Sequence, residues 1–431
     1  MPTPPGTTTP PTYGGLTRAQ VVTWRNSLFL IFGLCGLAMA SWVSRTPAVR
    51  DALHADPQQM GLLIFGIAAG SILGLLASSH IIARFGARST IAVVLTVGAI
   101  GFTVAGLGVS FGPSYQVVFA GLLVFGACFS TCDVAMNVLG AANERVLGRA
   151  IMPIFHAFFS FGTVVGAGLG VLAERAHVPV FLHIAAVAVV FAGGGVLAAR
   201  LSQSEHVVEH GGEPVPQDDH SRSWRGRLGI WRDPRTLLIG LIVLGMAFSE
   251  GSANDWLALA TVDGHHTDNP TGALVFGVFV SAMTVGRLAG VKLLDRFGRV
   301  PVLRGSAVFA AVGLVVYIFV PVLWIAIVGV VFWGLGSALG FPVGMSAASD
   351  DPKTAAARVS AVATIGYFAF LVGPPMIGFL GQHFGLLPAL LIVLVLVALA
   401  GLVSGAAREP RHPRLTRPPT HPENAGDAPQ A

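Results

Sequence analysis

Long apolar stretches separated by short polar segments run along almost the whole chain. Twelve of these stretches are about long enough to cross the ~30 Å hydrocarbon core of a bilayer as helices that rise ~1.5 Å per residue. The alternation that barrel strands need is absent, and backbone groups in lipid must pair within their own segment. The pattern therefore predicts an all-α membrane protein. The predicted spans cover residues 27–49, 60–83, 90–111, 114–141, 150–173, 179–202, 235–261, 271–293, 302–319, 321–347, 355–381 and 385–406.

The twelve predicted spans form two groups of six, at 27–202 and 235–406. We expect these groups to fold as two pseudo-symmetric six-helix bundles. The polar segment 203–234 between them is predicted to be a cytosolic linker. The tails at 1–26 and 407–431 are rich in proline and polar residues, and both are predicted to be disordered and cytosolic.

The composition agrees with this pattern and excludes several classes of protein. Hydrophobic residues make up 53% of the 431 residues and charged residues 11%, whereas a soluble domain carries roughly 25% charged residues. A soluble enzyme, a secreted disulfide module and a disordered protein are therefore excluded. Cys35, Cys128 and Cys132 lie in apolar runs, without the spacing of a disulfide framework or a metal site. Because no nucleotide-binding loop is present either, we predict no enzymatic activity and no cofactor.

The basic residues predict the orientation of the chain. When both termini are placed in the cytosol, only Arg45, Arg50 and Arg175 of the 26 Lys and Arg residues fall in outer segments. Cytoplasmic loops carry an excess of basic residues, so both termini are predicted to be cytosolic. This distribution accounts for the net charge of +5 without a nucleic-acid partner. Arginine greatly outnumbers lysine, which indicates a GC-rich bacterial genome and hence the bacterial cytoplasmic membrane.

A short loop motif is repeated in the two halves. The loop after the second predicted span reads Ala-Arg-Phe-Gly-Ala-Arg (83–88), and the loop after the eighth reads Asp-Arg-Phe-Gly-Arg (295–299). Duplicated six-span halves are typical of transporters. In these features the sequence resembles the major facilitator superfamily, whose loop between the second and third helices has a D-R-x-G-R type pattern. The first copy has Ala83 where that pattern has an acid. The resemblance implies the major facilitator fold.

Within that superfamily the sequence resembles the fucose-permease-like branch, which includes rhizopine-transport-type proteins. This resemblance implies a small polar substrate, such as a sugar, a polyol or a related compound, moved inward by symport. In the pattern of this branch an acid lies at the place of Asp133. The residues that carry the resemblance are Trp42–Pro47, Asp133–Asn137, Phe155–His156, Glu250, Asn254–Trp256 and Gly373–Pro375.

Polar side chains inside the fourth and fifth predicted spans are candidate site residues, because an ionisable group in a span needs a partner, a cavity or a function. Asp133 and Asn137 are four residues apart and share one helix face. We expect Asp133 to bind and release a proton and Asn137 to hydrogen-bond the substrate; alternatively, the pair only locks span four to a neighbour. His156 lies at a similar depth and is expected either to pair with Asp133 as a protonation switch or to tether two helices.

The seventh predicted span carries the most deeply placed acid, Glu250, with Asn254 on the same face. Asp255 and Trp256 lie toward its outer end. We expect Glu250, Asn254 and Asp255 to bind the substrate or a proton, and Trp256 to stack on a sugar face. Alternatively, Glu250 pairs with a basic residue that holds the halves together, and Trp256 belongs to the aromatic belt at the membrane surface.

Further charged residues are predicted to control conformational exchange rather than specificity. Arg45 is expected to gate the outer mouth or to pair with Asp255, unless it only extends its head to water at the interface. Arg287 is expected to join Asp295 and Arg296 in a charge network between the halves. The full predicted gating set is Arg45, Arg84, Arg287, Asp295, Arg296 and Arg299.

Together these features predict a secondary active transporter whose two bundles rock about a site near the membrane midplane. Because there is no ATP site and at least two acids are buried, the expected driver is a proton gradient. The expected partners are the solute, protons and the lipid bilayer, and the expected state is a monomer. Two alternatives stay open: proton-coupled efflux of an amphipathic compound or drug, which needs a cavity rich in aromatic and methionine side chains, and a non-transporting membrane sensor or scaffold.

Overall fold

A computed structural model describes residues 15–148, 151–204, 230–351 and 354–409. Within these ranges, twelve helices are long and apolar enough to cross a membrane. The predicted fold class, an all-α protein with twelve spans, is confirmed. The predicted tails up to residue 14 and from residue 410, and the predicted linker from 205 to 229, lie outside the described residues.

In chain order, the helices are α1 (Arg18–Val43), α2 (Thr46–Leu53), α3 (Pro57–Phe85), α4 (Ala87–Ser110), α5 (Tyr115–Leu147), α6 (Met152–Arg175), α7 (Val180–Leu201), α8 (Pro234–Gly264), α9 (Asn269–Phe297), α10 (Arg299–Phe319), α11 (Leu323–Ser337), α12 (Gly340–Ala348), α13 (Ala355–Phe384), α14 (Leu386–Ala389), α15 (Leu391–Val403) and the 3₁₀ turn Ser404–Ala407. Spans one to six are formed by α1 and α3–α7, and α2 is a short helix between spans one and two. Spans seven to nine are α8–α10, span ten is α11 with α12, span eleven is α13, and span twelve is α14 and α15 with the final 3₁₀ turn.

Span one begins and ends earlier than predicted. It starts at Arg18 because Thr17 caps it: the Thr17 hydroxyl accepts a hydrogen bond from the Gln20 backbone N–H, and the Gln20 side chain accepts one from the Thr17 N–H. This reciprocal capping satisfies two N–H groups that the helix leaves free. The helix ends at Val43, and Pro47 lies in the first turn of α2. Residues 18–26, assigned to the disordered tail, are therefore helical.

The repeated loop motif has a structural cause. Gly86 and Gly298 each follow the second span of their half, and each adopts a φ of 76°, which glycine tolerates far better than other residues do. The same spans also begin alike, because Asp56 and Asp268 cap their N-termini. The two halves thus share the local chemistry that starts and ends a span.

Small residues allow the helices of the first half to approach closely. A Cβ added at Gly74 in span two would overlap the backbone of Ala127 in span four, and one added at Gly162 in span five would overlap Gly33 in span one. Span four packs mainly against spans two and three, whereas span five packs mainly against span one. Spans four and five are therefore not close neighbours, although only a short loop joins them.

The bundle has a terminal side, where the described chain starts and finishes, and a far side, where α2 lies. The two halves are in close contact at the far side. Gly61 in span two lies so near to span eleven that an added Cβ would come within 2.6 Å of the Pro374 carbonyl oxygen, and one added at Gly378 would come equally close to the Pro57 carbonyl oxygen. These backbone contacts close the far side between spans two and eleven.

The α2 clasp, which consists of Arg50, Asp51, Asp263 and Asn269, adds a polar link at the far side. Arg50 pairs with Asp263 of span seven, and the Asn269 amide of span eight donates to Asp51 Oδ2 at 2.9 Å. Burial acts to lower the pKa of Arg50, but its hydrogen bonds to Asp263 and Asp51 raise that pKa overall, so the guanidinium stays charged. Within the described residues, the polar side-chain contacts between the halves lie on this side.

Candidate functional site

A cavity of about 430 Å³ lies between the two halves, a volume within the ~300–1,000 Å³ range of small-molecule sites. Spans one, two, four and five line it from one half, and spans seven, eight and eleven from the other. Most of the wall is apolar, with a polar cluster contributed by both halves. The polar lining residues are Thr46, Ser71, Ser130, Asp133, Thr163, Glu250, Asn254, Asp255, Arg287 and Tyr367.

Asp133 faces this cavity from span four, near Ser130. Asn137 lies one turn further along the same helix, and its amide donates to the Asp133 backbone carbonyl at 2.8 Å and to Asp133 Oδ1 at 3.3 Å. The two residues share a face, as their spacing predicts. Asn137 therefore holds the Asp133 carboxyl in place from behind, and its own side chain is engaged with Asp133 rather than presented to a substrate.

Glu250 and Arg287 form an ion pair in the cavity wall. The Arg287 Nη2 atom donates to Glu250 Oε1 at 2.7 Å, and the side chains keep 32% and 17% of their surface exposed, respectively. Arg287 thus lies well inside span eight and contacts the site. The expectation that it joins Asp295 and Arg296 was wrong, because those residues lie more than two turns further along the helix. The alternative expectation for Glu250, a basic partner, fits, but that partner is in the same half.

Asn254 and Asp255 also line the cavity, whereas Trp256 does not. Within the described residues, neither Asn254 nor Asp255 makes a side-chain hydrogen bond or ion pair. The Trp256 ring is fully buried and lies beside Gly378 at the far-side contact. Trp256 is therefore not placed to stack on a substrate, because the face of span seven that carries it packs against span eleven.

Much of the aromatic surface of the cavity comes instead from four phenylalanines that the sequence did not single out, Phe129, Phe159, Phe276 and Phe370. Trp42, which belongs to the segment that carries the family resemblance, lines the cavity with them. These side chains lie on five different spans, at positions where an apolar residue is equally compatible with contact to lipid or to another helix. Only the packing of the helices reveals which of them face the cavity.

His156 does not pair with Asp133. Its exposed ring lies edge-on against Phe32 of span one, with 5.1 Å between the ring centroids. Within the described residues no hydrogen bond joins the two side chains. The expected pair was wrong because it assumed that spans four and five are neighbours, whereas span five packs on span one.

Arg45 pairs with Glu174 rather than with Asp255. Its Nε atom lies 2.9 Å from Glu174 Oε1, and its Nη2 atom donates to the Val178 carbonyl oxygen at 2.7 Å. The side chains of Arg45 and Glu174 are only 3% and 9% exposed, so neither extends to water. Arg45, Glu174 and Val178 all belong to the first half, so this pairing does not join the two halves. The sequence missed Glu174 because span five was predicted to end at residue 173.

The predicted gating residues on the terminal side lie within single halves. Arg299 donates to Asp350 at 2.6 Å, and Asp350 also accepts from Arg235 at 2.9 Å. Arg84 and Arg296 each lie over the adjacent phenylalanine ring. Asp295 is exposed and, in the described part of the chain, takes part in no ion pair. The charged link that does cross between the halves is the α2 clasp, which the sequence did not indicate.

Comparison of the sequence with known proteins assigns this chain to a family. The family model described as the Major Facilitator Superfamily matches residues 27–264 and 253–429. An uncharacterized MFS-type transporter of Yersinia pestis is 31% identical over 355 residues, which cover 82% of this chain and 88% of that protein. The membrane protein MosC of Rhizobium meliloti is 26% identical over 376 residues, 86% of this chain and 88% of that protein.

Two solved structures show a similar fold. A mutant of the nucleoside transporter NupG superposes with a TM-score of 0.71 at 14% identity, over 90% of this chain and 99% of that one. The E. coli fucose:proton symporter FucP superposes with a TM-score of 0.60 at 16% identity, over 91% of this chain and all of the other, 100%. At such identities the similarity is one of fold.

Proposed function

This chain belongs to the major facilitator superfamily of membrane transporters, and on that premise we propose that it takes up a small polar solute, such as a sugar or polyol, together with protons. The observation that carries the proposal is the polar cluster in the cavity, where Asp133 of one half and the Glu250–Arg287 pair of the other line the same space. The similarity to MosC and the fold of FucP agree with the fucose-permease-like branch.

The proposed mechanism is alternating access. Two bundles with a site between them can rock so that the site opens to one side at a time. The closed far side and the orientation predicted from basic residues together support an inward-facing state, with both termini in the cytosol of a bacterium. We propose that the protein works as a monomer, because each chain contains both halves of the site.

Asp133 is the proposed proton site. A carboxyl inside a span is costly when charged and unpaired, and within the described residues Asp133 has Asn137 as its hydrogen-bond partner and no basic one. Glu250, by contrast, is neutralised by Arg287. Asp255 also lines the cavity without a basic partner among the described residues. We prefer Asp133 as the proton site because Asn137 holds its carboxyl in either protonation state.

The apolar walls suit the carbon face of a sugar ring, because aromatic side chains pack on such faces while hydroxyl groups reach the polar cluster. The same apolar walls are also compatible with the efflux alternative. Phe129, Phe159, Phe276, Phe370 and Met283 all line the cavity, a composition that also fits efflux of an amphipathic compound. Membership of a transporter family leaves no support for the sensor or scaffold alternative.

Uptake into proteoliposomes tests the proposal. The labelled probes are D-glucose, L-fucose and myo-inositol. We expect an inward proton gradient to drive the uptake of at least one of them to a level at least about tenfold above that of vesicles without the protein. Asp133→Asn should abolish gradient-driven accumulation but keep solute exchange without a gradient, because the asparagine mimics the protonated carboxyl. Asp268→Asn is the matched control, since asparagine caps a helix as well as aspartate does.

Two outcomes would contradict the proposal. If tetraphenylphosphonium is moved outward and none of the three labelled probes is taken up, the efflux alternative replaces the proposed uptake. If Asp133→Asn still accumulates solute against its gradient, the proton site lies elsewhere.

A further inference from the structure

We infer that the Glu250–Arg287 pair recognises two adjacent hydroxyl groups of the solute, a vicinal diol. The Glu250 carboxylate accepts a hydrogen bond from one hydroxyl, and the Arg287 guanidinium donates to its neighbour. This inference rests on the proposed uptake of a polar solute and specifies which chemical feature of that solute the site selects.

The pair keeps unused hydrogen-bonding capacity. A guanidinium has five N–H donors and a carboxylate has two acceptor oxygens. In the described part of the chain, each of these two side chains makes a single hydrogen bond, the one that joins Arg287 Nη2 to Glu250 Oε1. Both residues line the cavity and are partly exposed to it. Donors and an acceptor therefore lie side by side at the cavity surface.

The surroundings of the pair favour a ligand over bulk water. Phe276, Val280 and Met283 precede Arg287 on span eight and line the same cavity, and Phe370 and Leu371 line it from span eleven. Hydrogen bonds to charged groups are roughly twice as strong as those between neutral groups, and an apolar wall strengthens them further. A ligand that satisfies both members of the pair gains more here than on an open surface.

The charge of the pair selects a neutral ligand. Glu250 and Arg287 cancel one another, so a cation that approaches the carboxylate also meets the guanidinium, and an anion meets the reverse. Each hydroxyl both donates and accepts, so two neighbouring hydroxyls in a gauche arrangement, axial–equatorial or diequatorial, match the pair without added charge. A trans-diaxial diol points its two hydroxyls in opposite directions and cannot reach both side chains.

The position of the pair suits a carrier that rocks. Glu250 is in span seven and Arg287 in span eight, both in the second half. Their contact does not cross between the halves, so it persists when the halves move. The diol then stays bound to the second half throughout the cycle, while Asp133 approaches or leaves the solute with the first half.

Ligand binding to the full chain in detergent tests this inference. The probes are myo-inositol, D-glucose and L-fucose, each with its complete set of monodeoxy analogues. For the wild type we expect removal of either hydroxyl of one adjacent pair to weaken binding about tenfold, as loss of a hydrogen bond to a charged group does. Removal of any other hydroxyl should weaken binding less than about threefold.

Glu250→Gln and Arg287→Lys should each reduce that tenfold penalty to about twofold or less. Glutamine lacks the negative charge of the carboxylate, and lysine lacks the planar guanidinium with its paired N–H donors. Arg304→Lys is the matched control, since Arg304 contacts Ser404 away from the cavity, and it should keep the full penalty. If either site variant fails to fold, the deoxy series on the wild type still decides, because equal losses at every position would overturn the inference.

The outcomes separate the two proposals. If none of the three probes binds the wild type, the proposed function fails and the diol site fails with it. If a probe binds and the deoxy penalty is unchanged in both site variants, the proposed function stands and the diol inference is wrong.

Discussion

Arg45 and Glu174 form an ion pair at the far-side ends of spans one and five, where each side chain is at least nine-tenths buried. Such a pair contributes little net stability when intact, but removal of one partner leaves a buried charge without compensation. Its contribution is to hold the segment between span one and α2 in place against span five. Neither side chain lines the cavity, so we expect the pair to affect folding rather than selectivity.

Glu174→Gln should lower the free energy of unfolding by about 3–5 kcal/mol, because Arg45 keeps its charge in a buried site. Thermal or denaturant unfolding in detergent measures the loss. Arg175→Gln changes the exposed neighbour and should stay within about 0.5 kcal/mol of the wild type. Equal stability of the two variants would contradict the prediction, because it would mean that Arg45 does not need Glu174 to compensate its buried charge.

At the scale of residues, the sequence located several groups but not their partners. Asp133, Glu250, Asn254 and Asp255 line the cavity, because an ionisable or amide group in a span seldom faces lipid. Their binding roles stay predictions. Which basic residue meets Glu250, and which way Trp256 points, depend on the rotation and depth of neighbouring helices, which one sequence does not specify.

At the scale of elements, glycine controls how closely spans two and eleven approach. A Cβ at Gly378 would lie 2.6 Å from the Pro57 carbonyl oxygen and 3.0 Å from Gly61 Cα. Both are backbone atoms, so the helices themselves would have to separate. By contrast, a Cβ at Gly168 in span five meets nothing within 4 Å. The two positions therefore form a matched pair for an alanine test.

Gly378→Ala should favour the state in which the far side is open. A cysteine at Thr46, which lines the cavity, reports this in a background without Cys35, Cys128 and Cys132. We expect its labelling by a membrane-impermeant thiol reagent, added to the far side, to become several times faster. Gly168→Ala should leave the rate unchanged, and no change in Gly378→Ala would mean that this contact does not close the far side.

Hydropathy predicted the number and order of the spans but not their ends or their breaks. Span one extends to Arg18 because of a capping box, which hydropathy does not register. Span ten is interrupted between Ser337 and Gly340. Pro342, the third residue of the next helix, has no backbone N–H to give to the preceding turn, and a proline is best tolerated in the first turn of a helix. Such a break depends on the loss of a single backbone N–H donor, which a hydropathy profile does not register.

At the scale of the whole molecule, the α2 clasp joins the two halves. Arg50 and Asp263 are 18% and 34% exposed, so their pairing is weak enough to break during each cycle. A contact that exists in one state only biases the equilibrium between the states by its own free energy. For a pair exposed to this extent that is about 0.2–1 kcal/mol.

Arg50→Gln, Asp263→Asn and the double variant should each shift the equilibrium toward the open far side by up to about fivefold. The double variant should add little to either single one, because all three remove the same contact. Distances between spin labels on the far sides of the two halves measure the populations, and Arg175→Gln is the control. Additive shifts would mean that Arg50 and Asp263 act through other partners. Raising the salt concentration should reduce the difference from the wild type.

The pairing of charges in the cavity also determines how the membrane voltage acts on the protein. The Glu250–Arg287 pair is neutral as a unit, so moving it through the electric field costs nothing. Asp133 and Asp255 have no basic partner within the described residues, and each, when ionised, feels up to ~2.3 kcal/mol per 100 mV of potential. In the proposed proton-coupled uptake, an inside-negative potential therefore favours the outward-facing state of the empty, deprotonated carrier, in which the site can bind protons and solute from outside.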